Sequence, residues 1–115
     1  MTLLGWALAF LFTLVVETPV YFLSLRRVFG GKGAMAASLL LNIATHPIAW
    51  STLMATHRPF PYVFLAVEGA VILIEGLLLF AAGRSRFARQ PIRLDSALAI
   101  SLAANGFSAG LGLLL

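Results

Sequence analysis

Residues 62–82 read YVFLAVEGAVILIEGLLLFAA. Two glutamates apart, this is an unbroken apolar segment of the roughly 20 residues that a helix needs to cross a bilayer core. Glu68 and Glu75 lie seven residues apart, two helical turns along one stripe. Three further segments share the same character, from about Leu3 to Leu25, Ala34 to Ala55 and Ser96 to Leu115. The connections between them, Arg26–Gly33, Thr56–Pro61 and Gly83–Asp95, are short and rich in glycine, proline and arginine, as turns between antiparallel neighbours should be. The expected fold is therefore all-α: a polytopic membrane protein built as a four-transmembrane-helix bundle, with residues 1–115 forming a single transmembrane domain.

Composition supports this reading. Of 115 residues, 61% are hydrophobic and 10% charged, against about 25% charged in an ordinary soluble domain. A soluble globule and a disordered chain are both excluded, and no length remains for a separate soluble domain. The first segment lacks the basic start and small-residue cleavage site of a secretory signal. The chain has no cysteine, which removes disulfides, thiolate metal sites and cysteine nucleophiles. The pI of about 10.8 is a matter of topology and not of nucleic acid, because the basic residues are confined to the connections.

Arg26, Arg27 and Lys32 in the first connection, and Arg84, Arg86, Arg89 and Arg93 in the third, fall on one side of the predicted bundle. The second connection carries Arg58 and His57. The positive-inside rule then places the first and third connections in the cytoplasm and both termini outside, in a bacterial inner membrane. Trp6, Trp50, Phe60 and Tyr62 are expected near the outer interface. Asp95 followed by Ser96 reads as the N-cap of the last helix. Gly69, Gly76, Gly106, Gly110 and Gly112 read as close-packing positions.

Function is concentrated in the polar residues of the spans. Glu17, Glu68 and Glu75 would together cost roughly 8–10 kcal/mol if charged and unpartnered in hydrocarbon. They must be neutral, paired or turned toward a polar interior, and at least one is expected to carry a proton near neutral pH. Glu17 lies nine residues before Arg26, Asn42 nine after Gly33, and Glu75 nine before Arg84, which sets each about 13 Å from the cytoplasmic boundary. Ser101 falls at a similar level. A second layer further out is expected to hold His46, Glu68, Asn105 and Ser108. Thr13 shares a face with Glu17, and Ser38 and Thr45 with Asn42. Pro47 beside His46, and Pro19 beside Glu17, each remove a backbone donor and suggest a locally opened helix.

These residue types admit several chemistries. Carboxylates poised between protonated and ionised forms suit the binding or movement of a small cation coupled to protons, with Glu17, Asn42, His46, Glu68, Glu75 and Asn105 as the site and Thr45, Ser101 and Ser108 in support. A divalent metal held by His46, Glu75 and Glu17 is a second reading, although Glu68 and Glu75, about 10.5 Å apart along the axis, should not share an ion. An intramembrane hydrolase, with a glutamate as base to water, is a third. An accessory subunit whose polar residues bind partner helices is a fourth. The expected partners are the lipid bilayer and a second copy of the chain or a partner membrane subunit, with no nucleic acid. Which way the glutamates face separates a site from a surface awaiting a partner.

Overall fold

A computed structural model describes residues 3–55 and 60–114, with Phe60 described through its backbone alone. It contains three helices, α1 (Leu3–Ala55), α2 (Phe60–Ala82) and α3 (Leu94–Leu114). The expectation of a four-helix bundle is thereby corrected. The first two expected spans belong to one helix of 53 residues, and residues 26–33, read as a connection, continue it. Arginine and lysine are good helix formers, so the charges at Arg26, Arg27 and Lys32 do not end a helix; they only mark where it leaves the apolar layer. His57 and Arg58 of the second connection, and the Phe60 side chain, lie outside the described residues.

Gly30 is where α1 changes direction. Its torsions, φ 79° and ψ 169°, fall in a region open essentially to glycine alone. A straight helix of this length would reach about 80 Å, yet the longest extent of the molecule is 43 Å. The helix is therefore doubled back, and its two limbs lie side by side: the hydroxyls of Thr18 and Ser38 are 3.0 Å apart. Pro19 and Pro47 sit inside α1 without ending it.

The segment between α2 and α3 closes over this bend. The Arg89 backbone N–H donates to the Val28 carbonyl at 2.7 Å, and Ile92 is buried against Gly83. Tyr21, Leu25, Val28, Ala34, Leu79, Ile92 and Ala97 form a continuous apolar core at this end. Helices α2 and α3 meet at Gly76, where a Cβ would stand 2.6 Å from the Leu98 side chain. Gly69, Gly106 and Gly110 face open space instead of a neighbouring helix, and do not act as packing positions. α3 begins at Leu94, so Asp95 lies in its first turn; it accepts from the Ser96 N–H at 2.8 Å and from Arg93 at 2.9 Å.

Burial is inverted relative to a protein folded in water. Glu17, Ser38, Asn42, Thr45, Glu75, Ser101, Asn105 and Ser108 are buried, while Val15, Leu23, Leu40, Ile48, Leu65 and Leu102 are exposed. Water would penalise such an apolar exterior, and hydrocarbon solvates it. All three helices are long and apolar enough to cross a membrane. The chain has the build of a multi-pass membrane protein whose polar residues point inward.

Candidate functional site

Two carboxylates organise the interior. Glu75, brought in by α2, is fully buried and enclosed by three groups. The Tyr21 hydroxyl donates to its Oε1 at 2.5 Å, the Thr45 hydroxyl reaches Oε2 at 2.7 Å, and the Asn105 amide donates to Oε1 at 3.2 Å. Both limbs of α1 and helix α3 thus converge on one side chain of α2. Asn105 is itself fixed by the Ser101 carbonyl at 3.0 Å, and the Ser101 hydroxyl donates to the Ile72 carbonyl at 2.7 Å.

Glu17 is held differently. It is also buried, but only Oε2 is engaged, by the Ser108 hydroxyl at 2.6 Å. Oε1 has no hydrogen-bond partner among the described residues. The amide of Asn42 approaches from the facing limb; one of its two N–H groups donates to the Ser38 carbonyl at 2.8 Å, and the other makes no hydrogen bond to Oε1. A buried carboxylate oxygen normally finds a donor, so this orphan acceptor is the least ordinary polar atom in the interior.

Both carboxylates line one cavity of about 380 Å³, together with Asn42, Thr45, His46, Glu68, Asn105 and Ser108. Glu68 is half-buried and looks into it. All three glutamates therefore line the interior cavity, Glu17 and Glu75 buried and Glu68 in part. Thr13 adds a hydroxyl, and most of the remaining wall is carbon, from Phe12, Trp50, Leu53, Phe64, Val71 and Leu113 among others. These residues come from the helix ends remote from Gly30, while the apolar core seals the opposite end. The cavity is a vestibule set toward those remote ends.

Two hydroxyls at the site have a choice of acceptor. Thr45 carries one proton and lies 2.9 Å from the Leu41 carbonyl as well as 2.7 Å from Glu75. Ser108 likewise faces the Asn105 carbonyl at 3.2 Å and Glu17 at 2.6 Å. A hydroxyl donates once but also accepts. Toward an ionised carboxylate each can donate; toward a protonated one each can accept and turn its own proton to the backbone. The bond from each hydroxyl can then be kept in both states without moving the helices, although an ionised Glu17 still leaves Oε1 without a donor among the described residues.

His46 does not join either carboxylate. Its ring stands edge-on to Phe10 at 5.3 Å and to Trp6 at 6.1 Å, and parallel to Trp50 at 6.4 Å. Its Nδ1 is buried without a partner among the described residues. Trp6 and Trp50, expected near the outer interface, also wall this ring. The two expected polar layers are also redrawn. Asn105 belongs with Glu75 and Ser108 with Glu17, while Ser101 supports Asn105 from below.

Tyr21 is the site residue that sequence reasoning passed over. The available signal was its position four residues after Glu17, together with the need of a buried phenol for a partner. Among the described residues no group of three or more histidine, cysteine, aspartate or glutamate side chains is gathered to hold a metal. The set His46, Glu75 and Glu17 does not form one, because Glu75 is wrapped by uncharged donors and His46 by aromatic rings. No family model matches the chain, and neither a curated protein nor a solved structure does.

Proposed function

We propose that this protein binds a small cation in the vestibule, with Glu17 as the carboxylate that receives it, and that the bound cation exchanges with a proton. The observation that carries the reading is the Oε1 of Glu17, without a partner among the described residues, in the lining of a cavity that also holds Glu68. Among the described residues no lysine or arginine lines that cavity. A carboxylate kept in hydrocarbon without a counter-charge is costly, and a proton or a cationic ligand supplies the missing charge in turn. The paired acceptors of the Ser108 hydroxyl support such an exchange, since they allow Glu17 to be either protonated or ionised.

Glu75 has a structural part in this reading. Its three donors already satisfy it, so it fixes the helices around the cavity while Glu17 and Glu68 face the ligand. The basic connections orient the protein with Gly30 toward the cytoplasm and the open end of the vestibule outward.

The test is proton release. In weakly buffered mild detergent, a cation that displaces the proton on Glu17 acidifies the solution on binding, and Glu17→Gln abolishes the signal while Glu75→Gln retains part of it. Binding that persists unchanged in Glu17→Gln, or binding with no proton release at any pH between 5 and 9, refutes the assignment. If exchange is coupled to movement, proteoliposomes will show cation flux driven by a proton gradient and lost in the same variant.

A further inference from the structure

Resting on the cation-binding reading, we infer that the ligand is an organic ammonium, a primary or secondary amine in its protonated form carrying an apolar body, and not an inorganic ion.

Three features of the vestibule select this class. The first is size. A cavity of about 380 Å³ lies in the range that holds small organic ligands, which begins at about 300 Å³. A bare alkali or alkaline-earth ion would leave most of it unfilled and would need a shell of oxygens. Oxygens of Glu17, Glu68 and their neighbours line part of the cavity, but the larger share of its wall is carbon, from Phe12, Trp50, Leu53, Phe64, Val71 and Leu113, which suits an apolar body and gives a hydrated ion nothing to bind.

The second feature is the placement of acceptors. Glu17 Oε1 lacks any donor, and no hydrogen bond is made to the half-buried Glu68 among the described residues. Both are acceptors when ionised, and an ammonium brings up to three N–H donors. A quaternary ammonium has the charge but no N–H, and would leave Oε1 as unsatisfied as before. A neutral alcohol has a donor but no charge.

The third feature is the aromatic lining. Phe12, Phe64 and Trp50 line the same cavity as the carboxylates. Aromatic faces attract a cation through the ring quadrupole and accept an apolar body at the same time. Cation and hydrocarbon are thus recognised on adjoining surfaces, and a ligand possessing only one of them uses half of the site. The chain has two tryptophans; Trp50 lines the cavity, while Trp6 stands beside the His46 that also lines it. Intrinsic fluorescence therefore reports on occupancy without any label.

The experiment titrates the full-length protein in mild detergent with phenethylammonium, its trimethylated quaternary analogue, 2-phenylethanol, sodium, potassium and magnesium, following tryptophan fluorescence and calorimetric heat. Phenethylammonium is expected to bind, to weaken roughly tenfold or more in Glu17→Gln, as loss of a charged hydrogen bond implies, and to be excluded in Ala109→Leu, which fills the cavity without touching a carboxylate. The quaternary analogue and the alcohol are expected to bind at least several-fold more weakly. An inorganic cation that binds in a Glu17-dependent way while phenethylammonium does not would overturn the ligand class and leave the cation-binding reading standing. Equal affinity for the quaternary analogue would also overturn the class, since donation to Oε1 would then play no part. If none of the cations shows Glu17-dependent binding, both readings fall together. Helical circular dichroism of Glu17→Gln and Ala109→Leu separates lost binding from lost folding. Should Glu17→Gln not fold, Ala109→Leu and the quaternary comparison still decide the question.

Discussion

Replacing Tyr21 with phenylalanine isolates the contact on which the interior turns. The ring remains, and Tyr21 is fully buried, so no apolar contact is lost and no cavity opens. What disappears is one hydroxyl, 2.5 Å from Glu75 Oε1 and 3.4 Å from the Asn105 amide. A hydrogen bond to a charged acceptor contributes about 1.5–3 kcal/mol in soluble proteins. Interhelical bonds in a membrane average about 0.6 and reach about 1.7 kcal/mol. Glu75 Oε1 keeps the Asn105 donor at 3.2 Å, so the loss belongs near the top of the membrane range, about 1–1.5 kcal/mol. The assay is reversible unfolding in mixed micelles followed by helical circular dichroism, run as a double-mutant cycle with Glu75→Gln. In the Glu75→Gln background the Tyr21→Phe change should cost less than half as much. An equal cost in both backgrounds, or a cost within about 0.3 kcal/mol of zero in the wild type, would show that the pair is not coupled and would refute the account of Glu75 as an anchored carboxylate.

Gly30→Ala forces an L side chain into a glycine-only region and should cost about 1–3 kcal/mol in the same unfolding assay; trimming Arg89, whose guanidinium lies 3.1 Å from the added Cβ, should relieve little of it. Gly76→Val should destabilise by about 1–3 kcal/mol through overpacking against Leu98, with partial rescue by Leu98→Ala. Gly69→Ala meets open space and should be neutral or stabilising by up to about 1 kcal/mol, so equal effects at the two glycines would contradict the packing described. Because the chain has no native cysteine, single cysteines at Lys32 and Arg86 can be labelled in intact cells and in inverted vesicles. Labelling of both from the cytoplasmic face alone is expected, and labelling from outside would reverse the orientation.

The helices α2 and α3 begin and end within two residues of the segments read from hydropathy, because a change from carbon to charge at a membrane boundary is written directly in the residues. The doubling of α1 was less legible. A run of Arg26, Arg27, Gly30, Gly31, Lys32 and Gly33 has the composition of a loop, and only torsion angles reveal that one glycine makes the turn while its neighbours stay helical. For the site, burial of Glu17, Asn42, Glu75 and Asn105 follows from the cost of exposing them to lipid. Their pairing does not follow, because axial rise measured from uncertain span ends cannot resolve one turn; Asn105 and Ser108 were set a layer too far out for this reason. Tyr21 escaped notice because a tyrosine within an apolar run reads as bulk. The aromatic wall around His46 escaped because tryptophans near helix ends read as anchors.

The bend at Gly30 also has a bearing on how the protein enters a membrane. A helix that folds back on itself through one residue closes its hairpin over a very short loop, at little cost in chain entropy. Glu17 and Thr18 meet Ser38 and Asn42 within that hairpin, before α2 and α3 have been synthesised. The acid can therefore leave the insertion machinery beside the polar side chains of the facing limb, while its one hydrogen bond, from Ser108, waits for α3. Glu75 arrives next on α2 and finds Tyr21 and Thr45 in place, and α3 completes the enclosure with Asn105 and Ser108.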